Sequence, residues 1–196
     1  MGKLVAIGGG NLTNRDTEAI DKKIIALSGI VSPRVLFVPA ASRDDQGYAK
    51  RMKQYYRSLG CSMEAIRLFH TKKSKDELHQ LFLSFDIIYL GGGSTATLVD
   101  KLLELELDRI LTLAFNMGKV IVGMSAGANA LFTYGYSDAD QNFVLISGLN
   151  LVSGVFTPHY QKRKCFDHID QEGLNKIACC DRQAYIIDEE NAYYFE

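Results

Sequence analysis

Residues 120–129, VIVGMSAGAN, combine an apolar, β-branched run with the pattern Gly-x-Ser-x-Gly and then with small residues that a helix tolerates. This succession predicts a strand, a sharp turn and a helix, with the Ser125 hydroxyl at the apex of the turn. The two glycines of the pattern let strand and helix approach closely, and the helix N-terminus lies beside the hydroxyl. The stretch therefore predicts a nucleophile elbow, with an ordinary tight strand-to-helix turn as the alternative.

The composition is typical of one globular domain, which we place at residues 1–196. Hydrophobic side chains make up 47% of the 196 residues, enough to bury a proper core in a chain of this length. The chain has 22 basic and 23 acidic residues, so no charge excess argues for nucleic acid or an anionic membrane. No apolar run is long enough for a signal peptide or a membrane span. We expect small or near-neutral partners.

The cysteines and histidines do not form a metal-binding or disulfide pattern. None of the four cysteines forms a C-x-x-C pair, and a chain with a sufficient core does not need a disulfide framework, so free thiols in a reducing cytoplasm are expected. The four histidines lack the spacing of a zinc site. We therefore predict no metal.

Apolar runs alternate with helical periodicities through the first two thirds of the chain. Strands are predicted at 3–7, 34–40, 64–69, 86–90 and 120–124, and helices at 16–28, 48–59, 74–85 and 96–116. Strands that read as unbroken apolar runs indicate a parallel sheet covered on both faces. With right-handed crossovers, the predicted fold is α/β: a three-layer sandwich with a mainly parallel, flavodoxin-like sheet.

The regular alternation of predicted strands and helices ends after the helix that follows Ser125. Residues 134–140 are polar and rich in turn formers, 143–146 and 149–156 look like strands, and 162–178 are charged and predicted to be helical. A last strand at 184–187 and a possible return at 192–195 predict a hairpin at the end of the chain.

A serine nucleophile needs a histidine to take its proton and a carboxylate to orient that histidine. His159 is the best candidate, because it follows a predicted strand and a proline in Thr157-Pro158-His159-Tyr160; a histidine bonded to backbone in a post-strand turn is the alternative, and His168 is the second choice. The orienting acid is Asp140 or Glu189. Sequence order cannot decide between them, since unrelated triads run in different orders.

The developing oxyanion needs two backbone donors, each worth roughly 3–4 kcal/mol where this has been measured. The amide of Ala126 follows the nucleophile directly, and Gly92 or Gly93, in the turn that leaves the neighbouring strand, supplies the second donor. The same turn loosely fits a dinucleotide fingerprint, but no acidic residue ends the next strand to hold a ribose.

With these motifs in view, the chain resembles the S51 serine peptidases, the family of dipeptidase E and the cyanophycinases. The matches are GGGST at 91–95, GMSAGAN at 123–129, PHY at 158–160 and DEEN at 188–191. The resemblance implies a fold like that of class I glutamine amidotransferases, no cofactor, and cytoplasmic hydrolysis of short peptides. It also implies Ser125 as nucleophile, His159 as base, and an acid at the position of Asp140 or Glu189.

The resemblance further points to substrate-binding residues. In the dipeptidases of the family a basic residue after the Pro-His pair reads a substrate carboxylate, which marks Arg163 here, beside Lys162 and Lys164; Asn129 of the elbow helix is a further candidate. The segment between Pro-His and the basic residues is shorter than in those dipeptidases, so the preferred N-terminal residue stays open. Another acyl hydrolase, or a non-catalytic binding protein of the same fold, is the alternative function. The expected state is a monomer or homodimer.

Overall fold

The computed structural model describes residues 2–139, 142–169, 171, 173–189 and 191–196. Within them the helices are α1 Glu18–Ser28, α2 Gln46–Ser58, α3 Lys75–Leu83, α4 Thr95–Glu104, α5 Leu107–Asn116 and α6 Ala126–Leu131. The strands are β1 Lys3–Ile7, β2 Arg34–Val38, β3 Ser62–Ala65, β4 Ile87–Leu90, β5 Val120–Met124, β6 Phe132–Ala139, β7 Asn142–Ser147, β8 Val152–Thr157, β9 Lys176–Ala178, β10 Ala184–Asp188 and β11 Asn191–Phe195.

The main sheet has seven strands in the order β11-β10-β1-β5-β4-β2-β3. The five strands from the first two thirds of the chain pair in parallel, and β10 and β11 add an antiparallel edge. The carboxyl ends of β1, β4 and β5 lie side by side, because Ile7 is opposite Met124 and Leu90 is opposite Gly123. The predicted three-layer α/β fold with a mainly parallel sheet is confirmed.

Helices cover both faces of this sheet, and the alternation of side chains along β1 shows how. Val5 and Ile7 belong to the hydrophobic cluster under α1 and α2, whereas Leu4 and Ala6 belong to the cluster under α3 to α6. All four side chains have no exposed surface. Strands buried on both faces explain why the sequence reads as unbroken apolar runs, and full burial of a large aliphatic side chain contributes about 1.5–3 kcal/mol.

A capping box begins α3. The amide of Glu77 donates to the hydroxyl of Ser74 at 3.2 Å, and the amide of Ser74 donates to the carboxylate of Glu77 at 2.7 Å. Each side chain thus satisfies a donor that the helix leaves unpaired.

The single helix predicted at 96–116 is wrong, because the segment forms two helices. Glu106 interrupts it with a left-handed backbone, φ 57°. In a continuous helix at 100° per residue, Leu107 would point about 140° away from Leu102. The break brings both leucines into the core with no exposed surface.

A second sheet, in the order β7-β6-β8-β9, was not predicted as such. The sequence of residues 134–140 favours turns, but most of these residues belong to strand β6. The helix predicted at 162–178 is also wrong: this part contains 3-10 turns at Tyr160–Lys162 and Lys164–His168 and the short strand β9. The hairpin of β10 and β11 is confirmed. Among the described residues, no helix combines the length and the apolar character needed to span a membrane.

Candidate active site

Ser125 lies at the sharp bend between β5 and α6. Its backbone has φ 52° and ψ −109°, a conformation that non-glycine residues rarely adopt. The bend depends on the two flanking glycines: a Cβ on Gly123 would lie 2.4 Å from the carbonyl of Gly127, and one on Gly127 would lie 2.2 Å from the carbonyl oxygen of Leu90. Strand, turn and helix therefore meet as the sequence pattern predicts.

His159 reaches Ser125 from the second sheet. It follows β8, and its amide donates to the carbonyl oxygen of Gly8 at 3.2 Å, which fixes the turn against the end of β1. Its side-chain Nε2 lies 3.0 Å from the Oγ of Ser125. The two residues chosen from the sequence as nucleophile and base are thus in hydrogen-bond contact.

The carboxylate that contacts His159 belongs to Asp181. The Nδ1 of His159 bonds to Oδ1 of Asp181, so Nε2 is left to accept the proton of Ser125. Gln161 holds the carboxylate from the other side. Its side-chain Nε2 donates to Oδ2 of Asp181, and its side-chain Oε1 accepts from the backbone N–H of Asp181 at 3.0 Å. Asp181 lies in the turn between β9 and β10, and it was not among the predicted acids.

Glu189 cannot orient His159, which corrects one of the two predictions for the acid. Strand β10 runs antiparallel to β1, with Ala184 opposite Ile7 and Asp188 opposite Lys3. Glu189 therefore lies at the far edge of the sheet, about 17 Å along the strand direction from the end that carries Ser125. Asp140, the other candidate, lies outside the described residues. His168 is exposed in a 3-10 turn and is not in contact with Ser125.

Gly9 makes room for the histidine and its acid. A Cβ on Gly9 would lie 2.2 Å from Oδ1 of Asp181 and 2.3 Å from Cε1 of His159. Because no heavy atom fits at such distances, any side chain at this position would displace one of the two groups. Only a residue without a side chain allows this close approach.

The proposed oxyanion donors differ in their surroundings. Ala126 is the first residue of α6, so its amide has no acceptor within the helix. Gly92 lines the cavity in front of Ser125, where a Cβ would lie 3.7 Å from the Cβ of Ser125. Gly93 instead packs its α-carbon against the backbone of Ala41 and does not line the cavity. The geometry thus favours Gly92 over Gly93.

A cavity of about 520 Å³ opens in front of Ser125 and His159. Its wall includes the turn after β1 and side chains of α2, namely Tyr48, Arg51, Met52 and Tyr55. The Arg51 side chain has no hydrogen bond or ion pair with any described residue. It is therefore a positive charge on the cavity wall that the described part of the protein leaves unneutralised.

The inner end of the cavity reaches a buried carboxylate. Asp21 of α1 is 1% exposed and accepts hydrogen bonds from Thr17, Tyr55 and Tyr56 at 2.6–2.8 Å. Burial raises the pKa of Asp21 above its ordinary value, and the three hydroxyls oppose that rise. This cluster ties α1 to α2 and fixes the wall that carries Arg51.

Neither predicted substrate-binding residue lines this cavity. Arg163 is 7% exposed, and its guanidinium donates to the carbonyl oxygen of Tyr136 at 2.9 Å. Asn129 is 1% exposed; its amide donates to Thr95 at 3.3 Å and to the carbonyl of Tyr136 at 3.4 Å. Asn129 links α6 to α4 and β6, and Arg163 links the 3-10 turn after β8 to β6. A role of either residue in substrate binding stays a prediction. Lys162 is exposed at the end of a 3-10 turn.

Across the described ranges, no group of three or more His, Cys, Asp or Glu side chains is arranged to hold a metal ion. The chemistry that the described residues offer is that of a hydroxyl, an imidazole and a carboxylate in line. Such an arrangement activates the hydroxyl toward a carbonyl carbon.

Several similar proteins are named as peptidases. A protein named "Uncharacterized peptidase YgaJ" from Bacillus subtilis is 34% identical over 84% of this chain and 71% of its own length. A "Probable alpha-aspartyl dipeptidase" from Drosophila melanogaster is 32% identical over 64% of this chain, and a "Peptidase E" from Nostoc is 26% identical over 65%. These last two matches span about half of each relative, 52% in both cases.

Solved structures share the fold. A peptidase from an acI-B1 actinobacterium superimposes with a TM-score of 0.78 at 18% identity, covering all of this chain and 87% of its own. A structure from Listeria monocytogenes EGD-e gives a TM-score of 0.77 at 20% identity and covers 98% of that chain. The model of "Peptidase family S51" matches residues 4–196. The expectation drawn from the sequence is confirmed, and the chain belongs to peptidase family S51.

Proposed function

We propose that this protein hydrolyses short peptides, acting as a dipeptidase through a triad of Ser125, His159 and Asp181. The observation that carries the proposal is the unbroken contact from the Ser125 hydroxyl through His159 to Asp181. Membership of family S51 supports peptide substrates, and relatives named as dipeptidase or peptidase E support short ones.

The reaction follows from the geometry. His159 accepts the Ser125 proton at Nε2 as Oγ attacks the carbonyl carbon of the scissile peptide bond, and Asp181 stabilises the imidazolium through Nδ1. The amides of Ala126 and Gly92 hold the negative charge that develops on the carbonyl oxygen. His159 then gives its proton to the leaving amine, and the acyl group stays on Ser125. A water molecule, deprotonated by His159, hydrolyses that ester.

The cavity also suggests how substrates are selected. Arg51 takes the role that the resemblance gave to Arg163, because it is the cation that lines the cavity in front of Ser125. A short peptide always carries a terminal carboxylate, and some carry a second one on a side chain. An exposed guanidinium without a carboxylate partner among the described residues favours such a group over an uncharged end.

The test is the turnover of a panel of Asp-x, Met-x and Leu-x dipeptides by the wild-type protein and by Ser125→Ala. The variant is expected to lose turnover by on the order of 10⁶-fold while its circular dichroism spectrum stays unchanged. Labelling of Ser125 by a fluorophosphonate, seen as an adduct by peptide mass spectrometry, checks the nucleophile separately. Undiminished turnover by the variant would reject the mechanism, and p-nitrophenyl esters cleaved far better than every dipeptide would favour a different acyl hydrolase.

We place the protein in a reducing compartment, the cytoplasm. All four cysteines are free, and the two buried thiols, Cys61 and Cys179, have their pKa values raised by desolvation, to about 11 and about 12. Thiols held in the protonated form react slowly with oxidants.

A further inference from the structure

A second concave surface lies on the side of α2 that faces away from the active site. It encloses about 410 Å³ and is lined by Gln46, Ala49, Lys50, Lys53, Gln54, Arg57, Ala65 and Arg67. We call it the basic groove. Four of its eight lining residues are cationic and none is acidic, although the chain as a whole is balanced with 22 basic and 23 acidic residues.

The cations of the basic groove are not neutralised by the described part of the protein. The side chains of Lys50, Lys53 and Arg57 have no hydrogen bond or ion pair with a described residue. Arg67 likewise has no ion pair there, and its Nε is buried without a hydrogen-bond partner. A buried donor without an acceptor costs free energy. It is normally matched by a bound group, an ordered water or an ion.

The spacing of the cations indicates how long a ligand must be to contact all of them. Lys50, Lys53 and Arg57 recur along one helix face, spanning about 10 Å at 1.5 Å per residue. Arg67 follows β3, across the groove from the helix. A single small anion would meet only part of this row. A chain of two or three linked phosphate groups reaches along it, and guanidinium groups bind phosphate oxygens through paired N–H donors.

We propose that the basic groove is a binding site for a small polyphosphate-bearing ligand, such as a nucleoside triphosphate or a free polyphosphate. The site is separate from the peptidase cavity, because α2 presents the two on opposite faces. At 100° per residue, Tyr48, Met52 and Tyr55 point into the cavity, while Lys50 and Arg57 point about 170° away. The same helix therefore connects the ligand site with the wall that carries Arg51.

The test measures the binding of inorganic tripolyphosphate and of ATP by isothermal titration calorimetry at fixed ionic strength, with sulfate as the reference anion. Binding of both compounds favours recognition of the phosphate chain, and binding of ATP alone adds the nucleoside to the recognised part. In each case one ligand per chain is expected, bound more tightly than sulfate and more weakly as salt is raised. No binding of either compound above that of sulfate would overturn the proposal.

Variants then locate the site. Lys50→Gln/Lys53→Gln changes only the helix face, and Lys53→Gln/Arg67→Gln changes both walls; each is expected to weaken binding about tenfold or more. The matched control Lys73→Gln/Arg109→Gln also removes two positive charges, at exposed positions outside the basic groove, and it should bind as the wild type does. Equal losses in the control and the groove variants would mean that net charge alone attracts the anion, and this would also overturn the proposal.

Discussion

At the scale of single residues, the site relies on two side chains carried by a strained backbone. Ser125 and His159 both have φ 52°, in the left-handed region that costs a non-glycine residue about 1–3 kcal/mol. Hydrogen bonds hold them there: the amide of Ser125 donates to Ile7 at 2.9 Å, and that of His159 donates to Gly8 at 3.2 Å. Both bonds go to the end of β1, so one strand end fixes the backbone of both proposed catalytic residues.

Asp181→Asn should lower kcat by about 10³- to 10⁴-fold. An amide can donate to Nδ1 of His159, which stabilises the wrong tautomer and removes the negative charge that balances the imidazolium. The measurement is steady-state turnover of the best dipeptide, with a thermal melt as the check on folding.

Glu189→Gln is the matched control for Asp181→Asn. It removes the same charge at the far edge of the main sheet, so kcat should stay within about twofold of wild type. If Glu189→Gln were the inactive variant and Asp181→Asn the active one, the contact between His159 and Asp181 would have no catalytic role.

Gly9→Ala should reduce kcat by about 100-fold or more, because a methyl group at this position must push apart His159 and Asp181, and small displacements of a reacting group carry penalties of this size. KM should change much less than kcat. The control is Gly29→Ala at the end of α1, where φ is 69° and no heavy atom lies within 4 Å of the added methyl group. The control should lose stability but keep its kcat, and equal losses of kcat in both variants would attribute the effect to instability.

At the scale of elements, local pattern predicts Ser125 and His159 but not their acid. The serine lies in a pattern of five residues, and the histidine directly follows a strand and a proline. Asp181 has no comparable signal, since it lies in a turn between the three-residue strand β9 and β10. Glu189 lies at the wrong edge of the sheet because β10 runs antiparallel to β1. This direction is set by pairing with a strand at the other end of the chain, so the sequence around Glu189 does not reveal it.

The same distinction holds for the fold. The parallel strands and their helices follow from periodicity, because each strand is buried on both faces and reads as an apolar run. The second sheet does not, since the polar residues of β6 and the charges around β9 favour turns and helix when each segment is taken alone. Its strands are stabilised across the fold instead, for example by the stacked rings of Phe132 and Phe156, whose centroids are 5.0 Å apart.

The link between α1 and α2 should make stability depend on pH. Burial raises the pKa of Asp21 in the folded protein above the unfolded value, so the folded state binds its proton more tightly. This contribution to stability is complete below the unfolded pKa and declines as pH rises through the folded pKa.

Asp21→Asn should therefore lack this decline. The free energy of unfolding in urea, measured from pH 3 to pH 7, is expected to fall less steeply with pH in the variant than in the wild type. Hydroxyls can rotate to accept from an amide as well as to donate to it, so the variant is expected to fold. A steeper decline in the variant would contradict the raised pKa of Asp21.

At the scale of the whole molecule, the proposed triad joins two sheets. Ser125 belongs to the main sheet, His159 follows β8 of the second sheet, and Asp181 lies where the chain returns from the second sheet to the first. The amide of Arg182, next to Asp181, donates to the carbonyl of Gly9 at 2.8 Å. The geometry of the triad thus depends on how the second sheet packs against the end of β1.

The cavity in front of Ser125, between the end of β1 and α2, should select substrates by charge. Arg51→Gln is expected to raise KM about tenfold or more for dipeptides with a free carboxylate, since a charge-assisted hydrogen bond to the substrate is lost. Blocking the C-terminus of the dipeptide as an amide should have the same effect on the wild type and little further effect on the variant. This comparison distinguishes two modes of recognition. If Arg51 binds an acidic side chain instead of the terminal carboxylate, Arg51→Gln should raise KM for Asp-x substrates only.

The control for Arg51→Gln is Arg109→Gln, an exposed arginine of α5 on the opposite face of the main sheet, which should leave KM unchanged. Arg163→Gln tests the other candidate. The Arg163 guanidinium donates to the carbonyl of Tyr136, so its loss should lower the melting temperature and change KM little. A large rise of KM in Arg163→Gln, with none in Arg51→Gln, would indicate that Arg163 binds the substrate carboxylate. It would also mean that the substrate extends past His159 toward the second sheet instead of into the cavity beside α2.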